Sequence, residues 1–434
     1  MAGLEDLGHR VAIVGAGWAG LAAAVTLVQR GIPVVVFEAA RTPGGRARRI
    51  ATRGVELDNG QHVLIGAYTE TLRLMESVGV DPARALARGA LDLRTDSGFR
   101  LKAPPLPAPF HLLCGLASAS GLGIGDRLRA ARFVMRLRRA GFVLGRDESV
   151  ARLLAREGQT AAARANLWEP LCVAALNTPP DRASAQVFAN VLRDTLGAAR
   201  QASDLLLPRV ELGALFPEPA ARYVAARGGE VRLGAAVRAI DPSGARFRLD
   251  RDDASFSHVI VACAPHHAAA LLRGFAALAP ARAALDALEY EPIYTCYLQY
   301  PSGVRLPAPM FGFTRGLLQW GFDRGALGGP PGLVAAVVSA TGPHQSVERT
   351  ALAQRLHGEL AAAVPGLPQP VWTRLIVEKR ATFSCRPGLT RPANATAVPR
   401  LFLAGDYTAS DYPATLESAV RSGVAAARLA AGDH

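Results

Sequence analysis

The stretch RVAIVGAGWAGLAAAVTLVQRGIPVVVFEAA, residues 10–40, constrains the fold more than any other part of the chain. Its apolar, β-branched runs at residues 11–14 and 33–37 read as parallel strands covered on both faces. Between them Gly15, Gly17 and Gly20 make a GxGxxG turn that opens a helix predicted over residues 18–29. The first glycine permits the tight turn, the second lets the backbone reach a pyrophosphate, and the third lets helix and strand pack closely. The helix N-terminus favours the phosphate charge. Glu38 closes the second strand, where a carboxylate accepts hydrogen bonds from ribose hydroxyls and disfavours a 2′-phosphate. The pattern specifies a dinucleotide-binding unit. It leaves open which dinucleotide.

Half of the 434 residues are hydrophobic, enough for a sizeable core and two domains. The least polar stretch, APPLPAPFHLLCGLASASGLGI, is broken by proline and glycine and does not read as a spanning helix. Glu5 and Asp6 precede the first strand where a secretory signal would be apolar. Cys114, Cys172, Cys263, Cys296 and Cys385 form no CxxC pair, which implies reduced thiols in a cytoplasmic protein and neither a disulfide framework nor a zinc site. The net charge of +13 comes almost wholly from arginine, since Lys102 and Lys379 are the only lysines. Such a charge suits nucleic acid or an anionic membrane. With no zinc-finger spacing, RNP-like aromatic motif or compact basic tail, nucleic acid is not the expected partner.

Further along, residues 86–207 read as mostly helical and arginine-rich. GGEVRLGAAVRAIDPSG and FSHVIVACAP read as strands returning to the first sheet. YTCYLQY and LVAAVVSA are further strands, with a helix near residues 350–363. RLFLAGD and a helix over residues 414–429 close the chain. The nucleotide domain is therefore expected from residues 9–85, 208–268 and 378–432. Residues 86–207 and 269–377 would form the second, substrate and membrane-facing domain.

Two more segments select the dinucleotide. RTPGGRARR places Gly44, Gly45 and Arg46 just past Glu38, where exposed amides and a guanidinium suit phosphate or a flavin. LFLAGDYTASDYPATLESAVRSGVAAARLA delivers Gly405 and Asp406 from a strand and starts a helix near Thr415 and Leu416. The positive end of that helix suits the electron-rich pyrimidine edge of a flavin. Glu417 reads as a first-turn acid favourable to its own helix.

Together these segments resemble the FAD-dependent amine oxidase and phytoene desaturase superfamily over nearly the whole chain. The resemblance implies an α/β fold: a discontinuous, GR2-type Rossmann-like FAD-binding domain with an inserted α+β substrate domain. It implies FAD contacts at Gly15, Gly17, Gly20, Glu38, Gly45, Arg46, Asp406 and Val237. Ala16, Ala19, Ala39, Gly44, Gly60, Gln61, His62, Gly405, Thr415 and Leu416 complete the candidate cofactor set. LDNGQHVLIGAYTETLRLMESVG, LWEPLCVAALNTPPDRASAQVF, and EKRATFSCRPGLTRP leading to FLAGDYTASDYPATLESAVRSG more finely resemble the bacterial hydroxysqualene dehydroxylases. That likeness implies reductive removal of an allylic hydroxyl from hydroxysqualene, giving squalene for hopanoid synthesis. Carotenoid-type desaturation and amine oxidation are the alternatives within the superfamily.

Loss of hydroxide needs a proton donor. His62 is the first candidate, its other reading being a structural histidine bonded to a backbone carbonyl. Asp58 would orient His62 or cap a turn. Lys379 reads as a strand-end lysine, and Asp411 as a loop acid. Only one dinucleotide fingerprint is present, so a separate electron donor is expected. An apolar isoprenoid enters from a membrane. Arg129, Arg132, Arg136 and Arg139 form one helical stripe and Leu128, Ala131, Met135 and Phe142 another, a pattern suited to an anionic surface on the inner face of the cytoplasmic membrane.

Overall fold

The computed structural model describes residues 8–52, 54–196 and 199–433; Glu5 and Asp6 lie outside the described residues. Its central sheet is parallel, with strands in the order Glu230–Leu233, Val34–Glu38, Val11–Val14, His258–Val261 and Leu401–Leu403. The three inner strands are almost wholly buried, which is why they read as unbroken apolar runs. The helix Trp18–Val28 is buried along its entire length, between the sheet and the C-terminal helix Leu416–Ala430. The chain that begins the sheet is therefore locked by the chain that ends it.

A second, antiparallel sheet runs Met310–Gly312, Trp320–Asp323, Leu333–Ser339, Tyr290–Gln299 and Trp372–Phe383. One face is backed by the helix Arg349–Ala363 through Leu352, Leu356 and Leu360. Helices Phe110–Ala117, Ile124–Arg139, Glu169–Leu176 and Ala185–Leu196 build the rest of the second unit. The protein is thus mixed α/β, a Rossmann-like parallel sheet joined to an α+β substrate unit.

Three expectations change. The segment at residues 86–207 opens with the strands Leu86–Gly89, Asp92–Arg94 and Arg100–Lys102 before its helices begin. Of the two strands in GGEVRLGAAVRAIDPSG, only Glu230–Leu233 joins the parallel sheet. Ile240–Ser243 turns back on Arg246–Leu249 instead, because Gly244, at φ +60°, makes a tight reversal. The boundary at residues 377/378 falls inside Trp372–Phe383, which pairs with Tyr290–Gln299 from Tyr290↔Phe383 to Gln299↔Trp372. Cutting there would break the ladder, so we propose to draw it after Phe383.

Candidate functional site

A cavity of about 1020 Å³ runs from the glycine turn to the helices of the second unit. Gly15, Gly17, Ala19, Glu38, Ala39, Gly44, Gly45, Arg46 and Val237 line it, as do Gly60, Gln61, His62, Gly405, Asp406, Thr415 and Leu416. Segments from the two ends of the chain thus meet on one surface. Ala16 and Gly20 do not line the cavity; they support it. Ala16 donates its N–H to Glu38 Oε2 at 2.7 Å and accepts from the Gly44 N–H at 2.8 Å.

The turn is shaped for a ligand. Gly15 sits at φ +112°, and a Cβ there would lie 2.8 Å from the Ala262 carbonyl oxygen. A Cβ on Gly20 would lie 1.9 Å from the Gly15 oxygen, so helix and turn pack backbone to backbone. A Cβ on Gly17 would meet no protein atom within 4 Å, which leaves open the space where a pyrophosphate is needed. Gln61 Oε1 is buried on the cavity wall with no protein partner. An acceptor in that state fits a bound polar group.

Arg46 donates to Asp406 Oδ1 at 2.5 Å and to the Ala381 carbonyl at 2.9 Å. Burial opposes its charge, and the Asp406 carboxylate, with Glu378 and Tyr290 behind it, more than offsets that. This pair joins the GGR segment to the C-terminal GD segment. Arg391 fixes the loop beyond Asp406 by donating to the carbonyls of Asp406, Ser410 and Tyr412. Thr415 caps the C-terminal helix by accepting from the Ser418 N–H at 3.1 Å, so the helix opens directly at the cavity.

Glu417 serves a different helix from the one it sits on. Fully buried, it accepts from the Glu70 N–H, the Thr71 N–H and Thr71 Oγ1, and so caps the helix Thr69–Ser77. His62 points Nδ1 at the Gly60 carbonyl, 3.0 Å away, an arrangement that requires Nδ1–H as donor. Burial lowers the ring's pKa, and the Arg46 charge lowers it further against the pull of that carbonyl. A neutral ring so held offers Nε2 as an acceptor, a form unsuited to supplying a proton. Lys379 is exposed, whereas its neighbours Glu378 and Ala381 line the cavity. Asp411 pairs with Arg193 Nη1 at 3.4 Å.

Asp58 does not reach His62. Its Oδ1 accepts from the Leu212 N–H at 2.7 Å, at the start of the helix Leu212–Leu215. Burial pushes its carboxyl up to about 7, against the pull of the Leu212 amide and Arg324. An unfolded aspartate titrates near about 3.9, so the native state binds the extra proton and loses stability as pH rises from about 4 to 7. Asp58→Asn keeps an acceptor but cannot ionise. Relative to wild type it should gain on the order of 2–4 kcal/mol at pH 8 and nothing at pH 4. Denaturant melts at both pH values check this. An equal difference at the two would rule out ionisation of Asp58 as the cause.

Sequence reasoning missed several cavity residues. Asp194, Thr195, Tyr68, Tyr412 and Glu378 all line it. Asn177 ends the helix Glu169–Leu176 in the left-handed conformation, φ +45°, and bonds the Ala340 N–H, Thr382 Oγ1 and the Pro292 carbonyl. The LWEPLCVAALNTPP motif is thereby a staple between helix and sheet.

Residues 18–431 match a family described as flavin containing amine oxidoreductase. The chain is 32% identical to hydroxysqualene dehydroxylase of Rhodopseudomonas palustris, over 96% of this chain and 97% of that protein. It is 29% identical to the hydroxysqualene dehydroxylase of Sinorhizobium fredii, over 97% and 98%. Among solved structures, cyclohexylamine oxidase of Brevibacterium oxydans superposes with a TM-score of 0.75 at 18% identity, over 98% of this chain and 99% of that one, which is a likeness of fold.

Proposed function

This chain belongs to the flavin-containing amine oxidoreductase family, and from that premise we propose that it is a hydroxysqualene dehydroxylase, converting the allylic alcohol to squalene. It is an FAD-dependent oxidoreductase. The observation that carries the proposal is one continuous cavity, which joins the glycine cradle to walls of Leu91, Leu93, Phe99, Leu112, Leu116 and Leu171. A C–O bond that ionises beside a flavin needs those two environments in one space.

When bound, FAD supplies the two-electron hydride transfer. The rest falls to the chain. Gly17 and the start of the Trp18–Val28 helix would hold the pyrophosphate, Glu38 a ribose, and Val237 the adenine side. The Arg46–Asp406 pair and Gln61 would hold the ribityl and ring side. The capped N-terminus at Thr415 and Leu416 would face the pyrimidine edge and stabilise negative charge there. The apolar walls exclude water from the allylic cation left when hydroxide departs as water with one added proton. A separate two-electron donor would restore the reduced flavin.

Access is from a lipid surface. Ile124, Leu128 and Met135, spaced along one face of the Ile124–Arg139 helix, are 76%, 62% and 37% exposed, and Phe110 on the preceding helix is 59% exposed. The helix buries Ala130, Phe133 and Leu137 instead, and Phe142 is buried beyond its end. Met135 also lines the cavity, as do Leu112, Leu113 and Arg138, so this apolar stripe borders the cavity. Exposed Arg129, Arg132, Arg136 and Arg139 run as a positive stripe along one side of it. Among the described residues no helix is long and apolar enough to cross a membrane. The reading is peripheral attachment to an anionic bilayer, on the inner face of the cytoplasmic membrane.

Anaerobic incubation of the reduced holoenzyme with hydroxysqualene, beside a tube with phytoene, should yield squalene by mass spectrometry and leave phytoene unchanged. Failure to form squalene would overturn the assignment. With the alcohol carried in anionic vesicles, an Ile124→Ser/Leu128→Ser protein should lose about tenfold or more in rate yet match wild type in detergent micelles. Equal rates on vesicles would remove the membrane reading and leave the chemistry standing.

A further inference from the structure

Resting on the proposed substrate, we propose that Asp194 and Tyr412 form a hydroxyl-recognition subsite that selects the alcohol over the parent hydrocarbon. The cavity wall is largely apolar, and most polar side chains on it are committed elsewhere. Asn177 is held by Ala340 and Thr382. Thr95 bonds Ser97, which donates to Asn166 Oδ1. Ser203 donates to the Arg200 carbonyl and also bonds His111, and Thr195 Oγ1 donates to the Val191 carbonyl.

Asp194 stands apart from these. Its Oδ1 accepts from Arg193 Nε at 2.8 Å, while Oδ2 is buried without an aligned protein donor, close to the Tyr412 hydroxyl. A carboxylate oxygen left in that state is costly unless a ligand donor meets it. The Tyr412 side chain reaches the same cavity from the loop before the C-terminal helix, with its hydroxyl within hydrogen-bonding range of Asp194. Burial and the Asp194 charge raise the phenol's pKa, so it remains a proton-bearing donor at neutral pH.

The two are held in register from both sides. Asn190 donates to the Asp411 carbonyl at 3.1 Å, Arg193 reaches the Asp411 carboxylate, and Arg391 donates to the Tyr412 carbonyl at 3.0 Å. An alcohol placed there donates to Asp194 Oδ2 and accepts from Tyr412, and so satisfies both groups at once. Squalene would leave the Asp194 and Tyr412 side chains with only each other, and without the donor and acceptor the alcohol supplies. A site built to bond a hydroxyl rejects an analogue lacking it far more strongly than an apolar slot can. Thr415 and Leu416 lie only a few residues past Tyr412 on the same wall, so the anchored carbon lies next to the proposed pyrimidine edge.

The test is a titration of oxidised holoenzyme with hydroxysqualene and with squalene in micelles, followed by perturbation of the flavin's visible band. Wild type should favour the alcohol by about 10- to 100-fold. Asp194→Ala and Tyr412→Phe should bring the two affinities within about threefold by weakening alcohol binding and leaving squalene binding unchanged. Flavin content reports that each variant is folded. Tyr412→Phe removes one oxygen and decides the matter if Asp194→Ala loses flavin. Variants that keep the alcohol preference, or a wild type without one, would overturn the subsite. A wild type that binds the alcohol selectively yet forms no squalene would instead defeat the assigned reaction.

Discussion

A Gly17→Val protein should purify folded, with a wild-type circular dichroism spectrum and melting temperature in the absence of added cofactor, and it should be colourless. Gly17 has φ −74° and ψ −179°, extended backbone open to any residue, and a Cβ built there contacts no protein atom within 4 Å. The added side chain therefore starts in open space and extends into the region proposed for the pyrophosphate, so it should cost the empty fold little. Loss of the close backbone approach should weaken flavin binding about 100-fold or more, measured by fluorescence of released flavin against added FAD. Gly20→Val is the contrasting variant. Its Cβ would fall 1.9 Å from the Gly15 oxygen, so both the fold and the flavin should suffer. If Gly17→Val binds FAD as tightly as wild type, the proposed position of the pyrophosphate is wrong.

Glu417→Ala should destabilise the fold severely. The carboxylate is fully buried and accepts from Thr71 Oγ1 at 2.7 Å, the Thr71 N–H at 2.9 Å, the Glu70 N–H at 3.1 Å and Arg421 Nε at 2.6 Å. Truncation leaves two helix-terminal amides without an acceptor and Arg421 without its ion pair. The expected loss is about 3–5 kcal/mol. Thermal melts should show a fall on the order of 5 °C or more. Glu417→Gln keeps an acceptor and should melt between wild type and the alanine variant. A melt unchanged in the alanine variant would show that the helix Thr69–Ser77 docks without this cap.

What was legible in the sequence was what is local in it. The glycine turn, its helix and Glu38 lie close together along the chain, and each carries its own signal of size, backbone freedom or charge. The GGR and GD segments were readable as separate motifs, but their joining through Arg46 and Asp406 depends on a contact across 360 residues. Glu417 shows the limit best. An acid in a first turn reads as serving its own helix, and it does pair with Arg421 there, yet the helix it caps lies 346 and 347 residues away and leaves no mark near it. The NGQH segment lines the cavity, but the protonation of His62 depends on which carbonyl the folded loop presents to Nδ1. Asp194 carries no motif, and Tyr412 lies in the C-terminal segment without a signal of its own. Their significance comes from a wall that is otherwise apolar or already bonded, and only the assembled structure contains that wall.

The parallel sheet has a temporal consequence. Its edge strand Leu401–Leu403 is synthesised long after Val11–Val14, and the helix Leu416–Ala430 that covers Trp18–Val28 follows later still. A ribosome must therefore release most of both units before the cradle has all its walls. Until then the nascent chain carries apolar strands with an unpaired edge, the condition in which chaperone holding matters most. Cofactor capture becomes a late event of biogenesis, and a chain cut short before Leu401 would leave the whole first sheet incomplete as well as lacking one helix.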